Sequence, residues 1–338
     1  MTTRPCGLQS DHMRPDAGAV TTGQAGPVLP AKAPPDAAAR ARHAAEVEWP
    51  TLALLAAAYA VWALGTTWAA ALWLPAGILL VAVSGALHSS LTHEVVHGHP
   101  FRNQALNAAL VFPALTLAVP YLRFKDTHLA HHNDAVITDP YDDPESNYRD
   151  PQVWARLPEW QKHLLGFNNT LAGRLLVGPA IGQWAFMAAD WRAIRAGDRR
   201  VLLGWALHVP AVAVVLWWMG AVAAMPWWAY ILSVYGALSI LKIRTFLEHQ
   251  AHEKPRARTV IVEDRGPLSF LFLNNNLHVV HHMHPRVPWY RLPALYAANR
   301  ARYLARNDSY RYASYGEVFA RYFRRAKDPV PHPLWPRG

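Results

Sequence analysis

The apolar positions of this chain come in blocks rather than stripes. No Asp, Glu, Lys or Arg occurs from Trp49 to Thr92, and none from Val201 to Leu241. A surface helix of a soluble protein would carry a polar face through such a stretch. One helical membrane crossing takes about 20 apolar residues, so each block is long enough for two. The first block is interrupted at Gly65-Thr66-Thr67 and again at Pro75, the second at Gly220 and Pro226. The pattern predicts two helical hairpins, with crossings at about 50–66, 72–92, 201–219 and 226–247.

Two other apolar stretches are too broken to cross. Asn103 to Leu122 contains Pro113 and Pro120 and reads as re-entrant or interfacial, whereas Gly173 to Asp190 is split by Arg174 and Pro179 and reads as lying in the interface. The expected fold is an all-α membrane protein. It has four transmembrane helices as two hairpins, a cytoplasmic His-rich helical cap and interfacial helices. The expected domains are a disordered tail at 1–45, poor in bulky apolar residues, a membrane domain at 46–327 and a C-terminal tail at 328–338.

Composition agrees with the pattern: 52% hydrophobic and 17% charged is too apolar for an ordinary soluble domain of 338 residues. The net charge of +10 would suit nucleic acid, but its distribution argues otherwise and no nucleic-acid-binding motif is present. The hairpin tips at Gly65–Ala71 and Met219–Trp227 carry no Lys or Arg, and the segments outside the hairpins carry all of them. By the positive-inside rule both termini and the middle segment are cytoplasmic, which in a bacterium means the inner membrane. Trp217, Trp218, Trp227 and Trp228 form an aromatic belt at the second tip. The single cysteine, Cys6, excludes an internal disulfide framework and a thiolate metal site.

The candidate chemistry is histidine. "HEVVHGH" follows the second crossing and places His93 and His97 one helical turn apart, with His99 just outside that spacing. "HLAHH" gives His128, His131 and His132, and "HVVHH" gives His278, His281 and His282; positions i, i+3 and i+4 share a helix face. His249 and His252 follow the fourth crossing. Neutral imidazole is the commonest protein metal ligand. About nine such ligands exceed the three or four of one zinc site and suit two adjacent ions. His88, inside the second crossing, reads as a buried structural or supporting residue. Glu94, Asp126, Glu248 and Asn274 flank the histidines, where they can fix an imidazole's tautomer or serve as caps and solvated residues. The acidic run Asp139 to Ser146 reads as a loop or cap, or as a contact to a partner or substrate.

The three boxes HEVVH, HLAHH and HVVHH, with "NNNLH" and "HHMHPRVPWYRLP", resemble the integral-membrane fatty acid desaturase family over roughly Leu72 to Pro293. The resemblance implies a non-haem di-iron site on the cytoplasmic side. Its ligands would be His93, His97, His128, His131, His132, His278, His281 and His282, with one more from after the last crossing. His249 matches that place best, with His252 as the other candidate. It implies O2-dependent dehydrogenation of an acyl or lipid-like chain held beside the irons within the bilayer. The wider superfamily adds hydroxylation, and desaturation of a small amino-acid-like metabolite, as alternatives. Without a haem, flavin or iron–sulfur motif in the chain, electrons would come from a separate ferredoxin-like donor with its reductase. Two rivals come from other classes. A HExxH zinc peptidase would use His93, His97 and Glu94 as base but leave both H-x-x-H-H triplets idle. A haem carrier would need histidines within facing crossings.

Overall fold

The computed structural model describes residues 47–132 and 135–335. The expected disordered tail at 1–45, with Cys6, lies outside the described residues. Helix α1, Trp49–Leu72, begins with Pro50 in its first turn, where a missing N–H costs nothing. A short turn leads into α2, Leu74–Val96, 23 residues long.

The interruption expected at Gly65-Thr66-Thr67 is not a hairpin tip. The helix continues through it as a π-helical turn, Gly65–Ala69, and ends only at Leu72. Trp73, extended at φ −156° and ψ 97°, makes the turn. Two local features hold the helix together there. The Thr66 and Thr67 hydroxyls both donate to the Ala63 carbonyl, at 3.0 and 2.7 Å. The wider turn also frees a carbonyl: Thr66 O accepts the amides of Ala224 (3.0 Å) and Met225 (2.9 Å) from the other hairpin. Gly77 lets the pair close, since a Cβ there would lie 2.8 Å from the Gly65 carbonyl oxygen.

After a short helix, Gln104–Leu110, residues 111–120 run without regular structure into the bundle. This agrees with a stretch too broken to cross as one helix. Irregular backbone is tolerated at membrane depth only where protein satisfies it. Tyr230 donates its hydroxyl to Leu115 O at 2.6 Å, the His208 Nε2 lies 3.2 Å from Leu117 O, and Gln183 donates to Ala118 O at 2.7 Å. Helix α3, Tyr121–His131, follows.

Helix α4, Gly178–Arg195, exposes Trp184, Met187 and Trp191 on one side and buries Asp190 on the other. Asp190 receives both prongs of Arg123 (2.9 Å each) and the Trp205 indole N–H at 2.9 Å. Arg123 therefore serves inside the protein. Helix α5, Arg199–Ala221, starts at an Asp198 cap, and α6 spans Trp227–Thr245. Helices α2 and α6 pack through small residues, with Gly236 facing Ala82.

Among the described residues, three helices are long and apolar enough to cross a membrane: α1, α2 and α5. Their outer faces leave Leu64, Leu79, Leu203, Val209 and Trp217 exposed, which is the inverse of a soluble bundle and suits lipid. The fourth expected crossing, α6, is diluted by Trp227, Trp228, Tyr230, Tyr235, Lys242 and Arg244. Beyond α6 the chain forms a small cap. A parallel pair, β1 (Ile261–Val262) with β2 (Arg311–Tyr312), ties together helices α7, His278–Met283, and α8, Tyr315–Tyr322. The described part of the expected C-terminal tail is built into the fold, against the segment between α3 and α4: Arg149 N donates to Val330 O at 2.9 Å and His332 N to Arg149 O at 2.8 Å.

Candidate metal centre

The ends of four elements deliver the histidines. His93 lies in the last turn of α2, and His97 caps it before Gly98 turns the chain at φ +100°. His128 and His131 belong to the end of α3, and His132 caps it. His278, His281 and His282 come from α7. His249 sits just past α6, in an antiparallel bridge with Thr259.

These nine side chains meet as two adjoining groups. His93, His97, His128, His132 and His281 form one; His131, His249, His278 and His282 form the other; within each, the ligand atoms lie within 4.8 Å of one another. The Nε2 atoms point inward. His97 to His128 is 3.0 Å, His128 to His132 3.0 Å and His132 to His281 3.1 Å in the first group. His131 to His249 is 2.8 Å, His249 to His278 3.1 Å and His278 to His282 3.2 Å in the second. A divalent ion holding imidazoles at about 2.1 Å would put neighbouring nitrogens about 3.0–3.4 Å apart. His93 Nε2 is buried and has no hydrogen-bond partner among the described residues. A buried acceptor left unpaired is costly unless something occupies the space it faces. The donor set therefore fits two metal ions.

Electrostatics points the same way. Burial first, then neighbouring histidines, push His97 down to about 2 and drive His132, His249, His278 and His281 well below the usual imidazole range. Neutral rings keep the lone pairs a metal needs. His131 differs: burial lowers it, but Glu145 and Asp143 outweigh that and raise it to about 9.

Outer partners fix several rings. Asp143 Oδ1 lies 2.7 Å from His131 Nδ1, and Glu145 Oε1 lies 3.0 Å from His128 Nδ1. Asn275 Oδ1 lies 3.2 Å from His278 Nδ1, and Asn275 donates in turn to Glu248 Oε1 at 3.0 Å. Glu248 also pairs with Arg244 at 2.9 Å. Holding Nδ1 in this way turns Nε2 toward the ion. The acidic run that reads as a loop thus supplies two ring anchors, and Asn275 rather than Asn274 touches a histidine. The available signal was two acids a dozen or so residues past an H-x-x-H-H.

The remaining candidates lie elsewhere. Glu94 accepts the Trp289 amide at 3.2 Å, and Asn274 donates to Trp289 O at 3.1 Å; both fasten the segment after α7. Asp126 pairs with Arg200 on the surface, both prongs at 2.8 Å. His99 Nδ1 meets Glu48 at 2.6 Å, His252 sits 3.6 Å from Asp308, and His88 Nε2 meets the Tyr59 hydroxyl at 3.0 Å. None of these six belongs to either group of inward-facing histidines.

A bundle of long helices with exposed apolar faces and two all-histidine groups at one end defines a class: membrane proteins with a donor set for metal. The chain matches the fatty acid desaturase family model over residues 68–314 and belongs to that family. It is similar to two carotenoid enzymes. A beta-carotene ketolase from Paracoccus sp. (strain N81106 / MBIC 01143) is 26% identical over 227 residues, covering 66% of this chain and 74% of that protein. A beta-carotene ketolase from Paracoccus sp. (strain PC1) is 29% identical over 228 residues, covering 65% and 74%. Family membership makes the chain an oxygen-dependent oxidoreductase of a di-iron, membrane-associated family.

Proposed function

We propose that this protein oxidises an unactivated C–H bond of a lipid-like substrate, with acyl-chain desaturation as the leading reaction. The observation that carries the reading is the convergence of nine imidazoles into two adjoining groups. Iron would be held by His93, His97, His128, His132 and His281 in one group and by His131, His249, His278 and His282 in the other. Bound iron supplies the oxygen-activating redox chemistry that side chains lack. The chain's own part is to hold the rings, through Asp143, Glu145 and Asn275, and to keep the site buried. In the balanced reaction one O2 takes two electrons from the substrate's two C–H bonds and two from an external donor, and leaves as two waters.

Topology supports the same reading. His131 and His249 lie together, yet α5 separates them in sequence. If α5 crosses and α4, which carries Asp190, Arg192 and Arg195, stays on one side, the chain must return before His249, and α6 is the long helix between α5 and His249. Its 19 residues span about 28 Å, close to one hydrocarbon core of about 30 Å. Lys242 and Arg244 would then sit at its cytoplasmic end, with Arg244 turned inward onto Glu248. We therefore infer four crossings, with the histidines and both termini on the cytoplasmic side of a bacterial inner membrane.

A second reading is oxygen insertion that leads to a ketone, favoured by the two ketolase relatives. Purified protein reconstituted with a ferredoxin and reductase, lipid extract and O2 separates the readings by mass spectrometry. Loss of two hydrogens supports desaturation, and gain of an oxygen supports insertion. A single bound zinc with peptide cleavage would overturn both.

A further inference from the structure

The C-terminal segment at 326–335 lies beyond the family-matched region, which ends at residue 314. It nevertheless reaches one half of the metal centre by three routes. Lys327, with its side chain 7% exposed, donates from Nζ to the His249 carbonyl at 2.7 Å and pairs with Asp328 at 2.6 Å. Asp328 accepts the Tyr148 hydroxyl at 2.7 Å, and that hydroxyl accepts the Ala251 amide at 2.8 Å, two residues past His249. His332 Nε2 lies 3.3 Å from the Thr138 hydroxyl, and the Thr138 amide donates to Asp143 Oδ2 at 2.8 Å. The other oxygen of Asp143 holds His131.

The first and third routes end on His249 and His131, both in the four-histidine group, and the second ends two residues past His249. The five-histidine group depends on the ends of α2, α3 and α7, and His128 is steadied by Glu145, which the strap reaches only one step further out, through the Glu145 amide on Asp143 Oδ1 at 2.9 Å. We infer that the segment from Ala326 to Trp335 is a positioning strap that acts mainly on the four-histidine metal site, with Lys327 and His332 as its two fasteners. This rests on the reading that the histidine groups bind metal. Lys327 sets the backbone at His249, and His332 sets the loop that orients His131. Loss of an outer partner typically lowers metal affinity about 10- to 100-fold.

The test is ferrous ion binding, read by elemental analysis and anaerobic titration, on full-length protein and on variants purified as monodisperse detergent complexes. Four variants are compared: a chain ending at Arg325, Lys327→Met, His332→Ala and His332→Gln. Full-length protein should bind about two ions. The truncated chain, Lys327→Met and His332→Ala should each keep one ion at unchanged affinity and hold the second about 10- to 100-fold more weakly. Gln, whose amide nitrogen can replace the imidazole Nε2, should restore it. With cobalt(II) as probe, only the bands of the four-histidine site should fade. Two ions at full-length affinity in Lys327→Met and His332→Ala would overturn the strap. So would parallel loss of both ions, since that marks a general folding role. Fewer than two ions in the full-length protein would instead remove the metal reading beneath it.

Discussion

His131 and His249 stand Nε2 to Nε2 at 2.8 Å across 118 residues of sequence. Two lone pairs that close repel each other unless a proton or a cation lies between them. Without metal a proton on His131, raised to about 9 by Glu145 and Asp143, fills that place, while His249, driven well below the usual range by burial and then by His131, offers a lone pair that a cation can take over.

Changing either ring to alanine should therefore remove one ion and most turnover. His249→Ala should lose at least about 100-fold in activity, since even outer partners cost about 10- to 100-fold in affinity or activity. Iron content and product formation measured on the same sample check this, and unchanged iron in His249→Ala contradicts it.

Glu94→Gln separates the oxidase from the peptidase. Here Glu94 accepts the Trp289 amide, and a glutamine carbonyl can do the same. The variant should keep both ions and most activity, with a stability change of about 1 kcal/mol or less. A peptidase base in that position would lose nearly all activity on the same exchange.

Asp190→Ala should be among the most destabilising changes away from the histidines. It leaves Arg123, 13% exposed, without its carboxylate. Breaking one side of a buried pair costs about 3–5 kcal/mol, whereas replacing both members by apolar residues costs far less. Thermal unfolding in detergent should show a larger loss for Asp190→Ala than for Arg123→Met with Asp190→Leu.

Glu263 gives the cap an acid limit. A hydrogen bond from Arg300, then one from Tyr296, holds its carboxyl down at about 2 against the opposing effect of burial. A folded-state value below the unfolded one means stability that is present above the ordinary carboxylate range and is lost as pH falls toward 2. Melting temperatures followed from pH 5 to pH 3 should fall more steeply in the parent than in Glu263→Gln. Parallel curves for the two proteins would contradict the assignment.

Much of this centre could be read directly from spacing. H-x-x-x-H and two H-x-x-H-H triplets announce shared helix faces, and their rings do converge. What spacing conceals is who holds the rings. Asp143, Glu145 and Asn275 reach their histidines through loops that fold back, and no local period records that. Lys327 reaches His249 across 78 residues. The end of α1 was hidden for another reason. Gly65-Thr66-Thr67 has the composition of a breaker, but its hydroxyls bond to Ala63 and let the helix widen instead of stopping. The helix α6 shows the converse, since aromatic and basic residues lower its apolar average without shortening it.

The Thr66 carbonyl, released by that widened turn, works as a rivet. Two amides of the other hairpin seat on it, and the Trp218 indole N–H bonds to the hydroxyl of the same residue at 3.0 Å. Neither hairpin can slide along its long axis without shedding three hydrogen bonds at once. The depth at which α2 and α6 deliver His93 and His249 is thus set from the opposite end of the bundle, by a threonine that never meets a metal.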